Sequence, residues 1–167
     1  MSLVEALVSV SVGMLVLGAL ASFMAYTGKS MAGLSNYVDL ERQSQLALDI
    51  MTRDIRQTKH LYSFATNRLV FTDSDDALLT FEYQPDQRRL VRIKNRIAQP
   101  LLTECDYLCF SNFQRNPVGG TYEQYPVTVS PTNTKLVSVT WVCSRTIIGT
   151  KMNTESVQTA KIVIRKQ

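Results

Sequence analysis

Residues 1–28 read MSLVEALVSVSVGMLVLGALASFMAYTG, and Glu5 is the one charged side chain among them. Every other Asp, Glu, Lys and Arg lies from Lys29 onward. The 167-residue chain has a formal net charge of +4 and only 19% charged residues, a low share for a water-soluble domain. The uneven distribution accounts for it: an apolar segment is joined end to end to a soluble one. Residues 6–26 carry no charge. As a helix they extend about 30 Å, the thickness of a bilayer's hydrocarbon core. Ser9, Ser11, Gly13, Gly18, Ala19, Ala21 and Ser22 are spread through this run. Small residues of this kind let helices approach one another closely.

Three readings of the segment compete. A secretory signal places basic residues first and a short apolar stretch before a cleavage site. Here an acid comes first, no basic residue precedes Lys29, and the run is too long. A plain membrane anchor fits the length but leaves Glu5 unexplained, since a charge in an apolar helix is costly and usually functional. A helix that assembles with copies of itself accounts for both. The natural cation for Glu5 is then the free amine of Met1, in the same chain or a neighbouring one.

The opening Met1-Ser-Leu-Val-Glu5-Ala-Leu-Val, followed by the apolar run, resembles the mature N-terminus of type IV pilins and type II secretion pseudopilins. The resemblance implies an N-terminal residue that is often N-methylated and a Glu at the fifth position. It also implies a chain whose basic leader has been removed by prepilin peptidase. Met1 stands where that family usually has Phe. In many pilins a proline at mid-membrane depth permits local unwinding; this chain has none before Pro85, and Gly13 and Gly18 are the candidates for that role.

Beyond Lys29, Tyr37, Leu40, Ser44, Ala47/Leu48, Met51, Ile55 and Thr58 recur every three or four residues. This is the stripe of a helix with one buried face, and it predicts a continuation to about His60. Asp49 and Arg53 are spaced as an i, i+4 pair. Gly28 and Gly33 are candidate bends. The stretch from Glu41 to Arg56, ERQSQLALDIMTRDIR, resembles the long helix of minor pilins of the PilW type and the pseudopilin J group.

After residue 66 short alternating runs predict strands at Arg68–Thr72, Leu78–Tyr83, Arg89–Lys94, Tyr107–Phe113, Lys135–Cys143 and Thr159–Arg165, with Pro85–Arg88 as a turn. Val137, Val139, Trp141 and Cys143 share one strand face, and Ala160, Ile162 and Ile164 share another. Residues 114–134 and 144–156 read as loops. The runs from Leu78 to Tyr83, Arg88 to Arg92, Leu136 to Thr140 and Ala160 to Ile164 resemble the same minor-pilin group. The expected fold is α+β: a long N-terminal helix packed on a small antiparallel β-sheet head, the pilin fold. Its parts are residues 1–28 (membrane or filament core), 29–66 (amphipathic continuation of the helix) and 67–167 (β-rich head).

No catalytic constellation is present: there is one histidine, His60, and no P-loop or nucleophile elbow. The chain is read as a non-enzyme without cofactor or metal. Cys105, Cys109 and Cys143, with His60, lack zinc-site spacing; one disulfide and one free thiol, or no bridge, are both open. Asp73, Asp75 and Asp76 read as a hydrophilic turn ahead of a calcium site. Arg88, Arg89 and Arg92, with Lys94 and Arg96, form a basic run that can meet DNA phosphates, pair with acids on an adjacent subunit, or serve solubility; the DNA reading ranks last.

The resemblance implies a structural subunit held in the inner membrane and then polymerised into an extracellular or periplasmic filament. Its implied partners are copies of itself, minor pilins, a prepilin peptidase, an assembly ATPase and a platform protein. A minor subunit priming a filament tip, a DNA-uptake pilin and a lone membrane anchor are the alternatives.

Overall fold

The computed structural model describes residues 2–114, 125–127, 130–146 and 155–165. Its first element is one uninterrupted helix, α1, Leu3–Gln57. At 1.5 Å per residue it is about 80 Å long. Ser2 caps it, with extended φ/ψ and a side chain that accepts from the Glu5 N–H. It runs straight through Gly13, Gly18, Gly28 and Gly33 as helix.

The helix ends earlier than the stripe of residues 29–66 predicts. Thr58 is extended, and its hydroxyl and its N–H both return to Ile55 O, at 2.8 and 3.3 Å. That closes the last turn, and Lys59 N–H then bonds Thr72 O at 2.9 Å. Residues 60–65 are therefore strand. The i, i+4 pair is also replaced: Arg53 approaches Asp54, at 3.7 Å, instead of Asp49.

Among the described residues nine strands follow, in two antiparallel sheets where the sequence suggested one. The first is a meander in the order β1 (His60–Ala65), β2 (Arg68–Thr72), β3 (Leu78–Gln84), β4 (Arg89–Lys94) and β5 (Ile97–Leu102). The second contains β6 (Cys105–Gln114), β7 (Tyr125–Pro126), β8 (Thr134–Ser144) and β9 (Glu155–Val163), ordered β7-β6-β8-β9. β1, β5 and β7 are the strands the sequence reading passed over. β5 contains Pro100, and proline is tolerated there because β5 is an edge strand. Its hairpin turns at Asn95-Arg96, both with positive φ, 53° and 64°; this is the left-handed pair of a two-residue hairpin turn, without the glycine that usually signals it.

One core joins the three layers. Leu40, Ala47, Met51 and Ile55 of α1 meet Leu61, Leu69, Phe71, Phe81 and Leu102 of the first sheet and Phe110, Val137, Val139, Trp141 and Ile162 of the second. Phe71 and Phe81 pack edge to face with centroids 6.3 Å apart, a favoured geometry for aromatic pairs. Ser44 is the polar exception in the helix stripe. Its hydroxyl takes the Trp141 indole N–H at 3.2 Å, so the buried donor is satisfied. The architecture is α+β, a long helix with an apolar first half packed by its second half on antiparallel sheet.

Candidate functional site

Among the described residues, nothing packs on the first half of α1, and none of its most apolar length is buried. The helix is long and apolar enough to cross a membrane. Leu7, Leu15 and Phe23 point in different directions around the axis and are 62%, 75% and 67% exposed. Apolar surface on every side of a helix demands lipid or other helices.

The change of surroundings is abrupt. Leu40 is the first buried residue of α1, and a collar of polar contacts surrounds that point. Arg145 joins Glu104 and, at 3.5 Å, Asp39. Both hydrogen bonds from the Gln158 amide reach Glu41, at 2.8 and 2.9 Å, and Ser156 adds a third at 3.1 Å. Thr103 donates to Gln43 at 3.2 Å. Glu104 strengthens the positive charge of Arg145 by hydrogen bonding, raising its pKa further. These bonds fix the helix to β9, to the end of β8 and to the β5–β6 connection just where it leaves the head. Tyr37, which the stripe includes, lies beyond the collar and is exposed. Sequence reasoning missed the collar because its partners are 41 to 117 residues apart.

At the far end, Ser2 and Glu5 form a reciprocal capping box. Glu5 N–H donates to Ser2 Oγ at 3.3 Å, and Ser2 N–H donates to Glu5 Oε2 at 3.4 Å. The sequence signature of this box is Ser-x-x-Glu before an apolar run, a pattern the expected pairing of Glu5 with the Met1 amine does not include. Met1 lies outside the described residues, so its pairing with Glu5 has no geometry here. Ser9, Ser11 and Ser22 turn their hydroxyls back to carbonyls of the preceding turn, at 2.8, 2.6 and 2.9 Å. This hides their polarity within the helix. A Cβ at Gly13 or Gly18 would meet nothing within 4 Å, and the helix is intact at both. No unwinding is present at either, because each backbone group keeps its place in the helical ladder.

The predicted basic patch is not a patch. Arg92 lies on the face of β4 that looks toward α1, beside Phe81 in register, and forms a 2.5 Å ion pair with the buried Asp54. Arg88 pairs with Asp106 at 2.5 Å and donates to Ser144 O at 3.0 Å. Arg89 donates to Gln84 at 2.7 Å. Each of the three arginines has a partner within the head, while Arg88 stays exposed and Arg89 partly exposed.

The aspartate cluster disperses too. Asp73 is buried and bound by Lys94 at 2.6 Å, while Asp76 pairs with Lys59 at 2.7 Å. Burial opposes the charge of Asp73, but hydrogen bonds from Lys94 and the Ser74 N–H outweigh it and hold the carboxyl below its usual range. Among the described residues no group of three His, Cys, Asp or Glu side chains gathers to hold a metal. His60 opens β1, half-buried. Cys105 and Cys143 are buried, and Cys109 is partly exposed.

No protein-family model matches the chain, and no curated protein matches it by sequence.

Proposed function

We propose that this chain is a pilin-like structural subunit, held in the membrane by the first half of α1 and polymerised through that half into a filament. The observation that carries the reading is the bare apolar length of a helix whose other half is fully engaged in the head. Membrane lipid covers that length before assembly; helices of neighbouring subunits cover it afterwards. The small residues at 9, 11, 13, 18, 19, 21 and 22 suit close helix packing. The internal hydrogen bonds of the serines leave those faces effectively apolar. In this reading a prepilin peptidase, an assembly ATPase, a platform protein and minor pilins serve the subunit. The DNA-uptake alternative is less favoured, because Arg92 is largely covered by its pair with Asp54 and Arg88 and Arg89 already have partners in the head.

Glu5 has two separable roles. As a capping acceptor it satisfies the Ser2 N–H. As a charge it needs a cation, and the nearest Lys on its own helix, Lys29, is about 36 Å away along the axis. The amine of Met1, on this chain or a neighbour, supplies the cation in the filament. Removing one partner of a buried pair costs about 3–5 kcal/mol, enough to lower incorporation at least about tenfold. Glu5→Gln keeps an acceptor for the cap and removes the charge; Glu5→Ala removes both. The measurement is sheared filament relative to membrane-held subunit, in cells making only the variant. We expect both variants to reach the membrane and neither to build filaments efficiently. Failure of Glu5→Ala alone assigns Glu5 to the cap. Normal filament yield from both, or no filament from the unaltered chain, overturns the proposal.

A further inference from the structure

Cys105 opens β6, and Cys143 lies directly opposite it on β8. The surrounding hydrogen bonds identify the kind of pair. Ser144 N–H donates to Glu104 O at 3.0 Å, one step outside the two cysteines, whereas Cys105 N–H donates to Arg88 O, at 2.8 Å. Cys105 and Cys143 therefore meet as a non-hydrogen-bonded pair, next to the register shift between Cys105 and Tyr107. At such sites facing Cα atoms stand about 4.5 Å apart and their side chains are closest. A disulfide spans Cα separations of about 4.4–6.8 Å. Both side chains point into the core, 0% and 1% exposed. The Cys105 thiol donates to Tyr107 O at 3.2 Å, and the interaction between the two neighbouring sulfurs draws the Cys105 pKa down and drives that of Cys143 up.

The third cysteine is excluded by geometry. Cys109 is four residues along the same strand from Cys105, about 13 Å away. It faces Thr140, three residues from Cys143. Its neighbours Leu108 and Phe110 are buried in the core while Cys109 is partly exposed, so it looks out from the opposite face of β6.

The backbone around the pair is held from several sides. Tyr83 Oη donates to Cys105 O at 3.0 Å, and Arg88 ties Asp106 to Ser144 O. Ser144 Oγ also reaches Asp106. The β3–β4 hairpin thus clamps the start of β6 against the end of β8, and closing a bridge requires little backbone movement.

We infer that Cys105 and Cys143 form a disulfide when the head folds in an oxidising compartment, leaving Cys109 as a free thiol. One cysteine thiolate attacks a disulfide of the oxidant, a thiol–disulfide oxidoreductase or oxidised glutathione, and displaces one of its sulfurs as thiolate. The second cysteine thiolate attacks the mixed disulfide and releases the oxidant's other sulfur. The two cysteines lose two protons and two electrons, and the oxidant's disulfide becomes two thiols. Burial of both sulfurs places the exchange before the core closes and shields the finished bond from reductants. The bridge closes the chain segment 106–142 into a loop. It acts chiefly on the unfolded chain, which loses conformational freedom, and it is independent of whether the subunit polymerises.

The test uses the full chain in detergent, unfolded and then refolded in a buffer rich in oxidised glutathione. Remaining thiols are capped with iodoacetamide, and chymotryptic peptides are mapped without reductant; cleavage after Tyr107 or Leu108 separates Cys105 from Cys109. The expected map shows a peptide linked through Cys105 and Cys143 and a capped Cys109. Reductant during refolding should lower Tm by about 10 °C. Cys109→Ser should give the same linked peptide and the same Tm difference. Three capped thiols in correctly folded protein, or a link through Cys109, overturns the inference. If Cys143→Ser does not fold, the maps of the unaltered chain and of Cys109→Ser still decide.

Discussion

Residues 3–34 and 40–57 belong to one helix with one backbone geometry, yet they answer to different solvents. In the second stretch the buried apolar side chains keep to one stripe, and Met51 and Ile55 are wholly buried by the two sheets. In the first, apolar side chains cover every side, and none of the described residues packs against them. A helix interior satisfies its own backbone hydrogen bonds in either setting, so α1 passes from one to the other without a break. The polar collar at residues 39–43 marks the border. The head's core begins at Leu40, and the first half of the helix takes no part in it.

The strongest test of that division is the Asp54–Arg92 pair, which carries charge into the seam between α1 and β4. Arg92→Gln leaves a carboxylate that is 6% exposed with only the exposed Arg53, at 3.7 Å, for a cation. Removing one partner of such a pair costs about 3–5 kcal/mol. The expected result is a correspondingly lower unfolding midpoint in denaturant for the detergent-solubilised chain. Trp141, the one tryptophan, is fully buried against Ser44, so its fluorescence reports on the head alone. Arg89→Gln, which loses a bond to Gln84 near the hairpin turn, should change the midpoint far less. Equal effects would mean that Arg92 is no more committed to the fold than its neighbour.

The next effect in size compares the two halves directly. Met51→Ala opens a cavity in the core and should destabilise the head by about 2–5 kcal/mol. Leu15→Ala removes a similar apolar volume from a side chain that is 75% exposed, and should leave the Trp141 transition within about 0.5 kcal/mol. A comparable loss from Leu15→Ala would show that the head senses the distal helix, and the border at Leu40 would have to be abandoned.

Much of this was legible in the order of residues. The spacing of Leu40, Ser44, Ala47, Met51 and Ile55 marked the seam, and alternation in β8 placed Val137, Val139 and Trp141 inward. What escaped has identifiable causes. β1 follows the helix after only two residues, and its exposed Tyr62 and Ser63 sit at a register shift, so no clean alternation announces it. β5 is reached through Asn-Arg instead of Asn-Gly and holds a proline. Arg88, Arg89 and Arg92 look like a charged surface when adjacent in sequence. The acids that bind Arg88 and Arg92 come from β6 and α1, contacts that local pattern does not encode. The pairing of Cys105 with Cys143 likewise needed the β6–β8 register, because three cysteines on paper permit three pairs.

The smallest effect separates the halves by pH. Asp73 sits at the end of β2, 4% exposed, and Lys94 and the Ser74 N–H keep its carboxyl ionised below the ordinary value of 3.8. A depressed carboxylate stabilises the fold fully above its unfolded pKa; that contribution is lost as pH falls below 3.8 and through the lower folded value. Lys94→Gln removes the main stabilising partner while the burial remains. The folded pKa of Asp73 then rises, and the acid limb of stability should move to higher pH. Lys94 is partly exposed, so the loss at pH 7 should be only about 1 kcal/mol. The variant and the unaltered head should converge once Asp73 is protonated in both. The Trp141 transition, followed from pH 7 to pH 3, measures this. Far-ultraviolet helix signal from the detergent-embedded half should hold constant over the same range, since Glu5 is its only carboxylate and its ladder of backbone bonds does not titrate. A curve for Lys94→Gln that parallels the unaltered one at every pH would show that Lys94 does not set the ionisation of Asp73. Loss of distal helix in step with the Trp141 transition would show instead that acid reaches both halves together, against the independence that the bare first half of α1 implies.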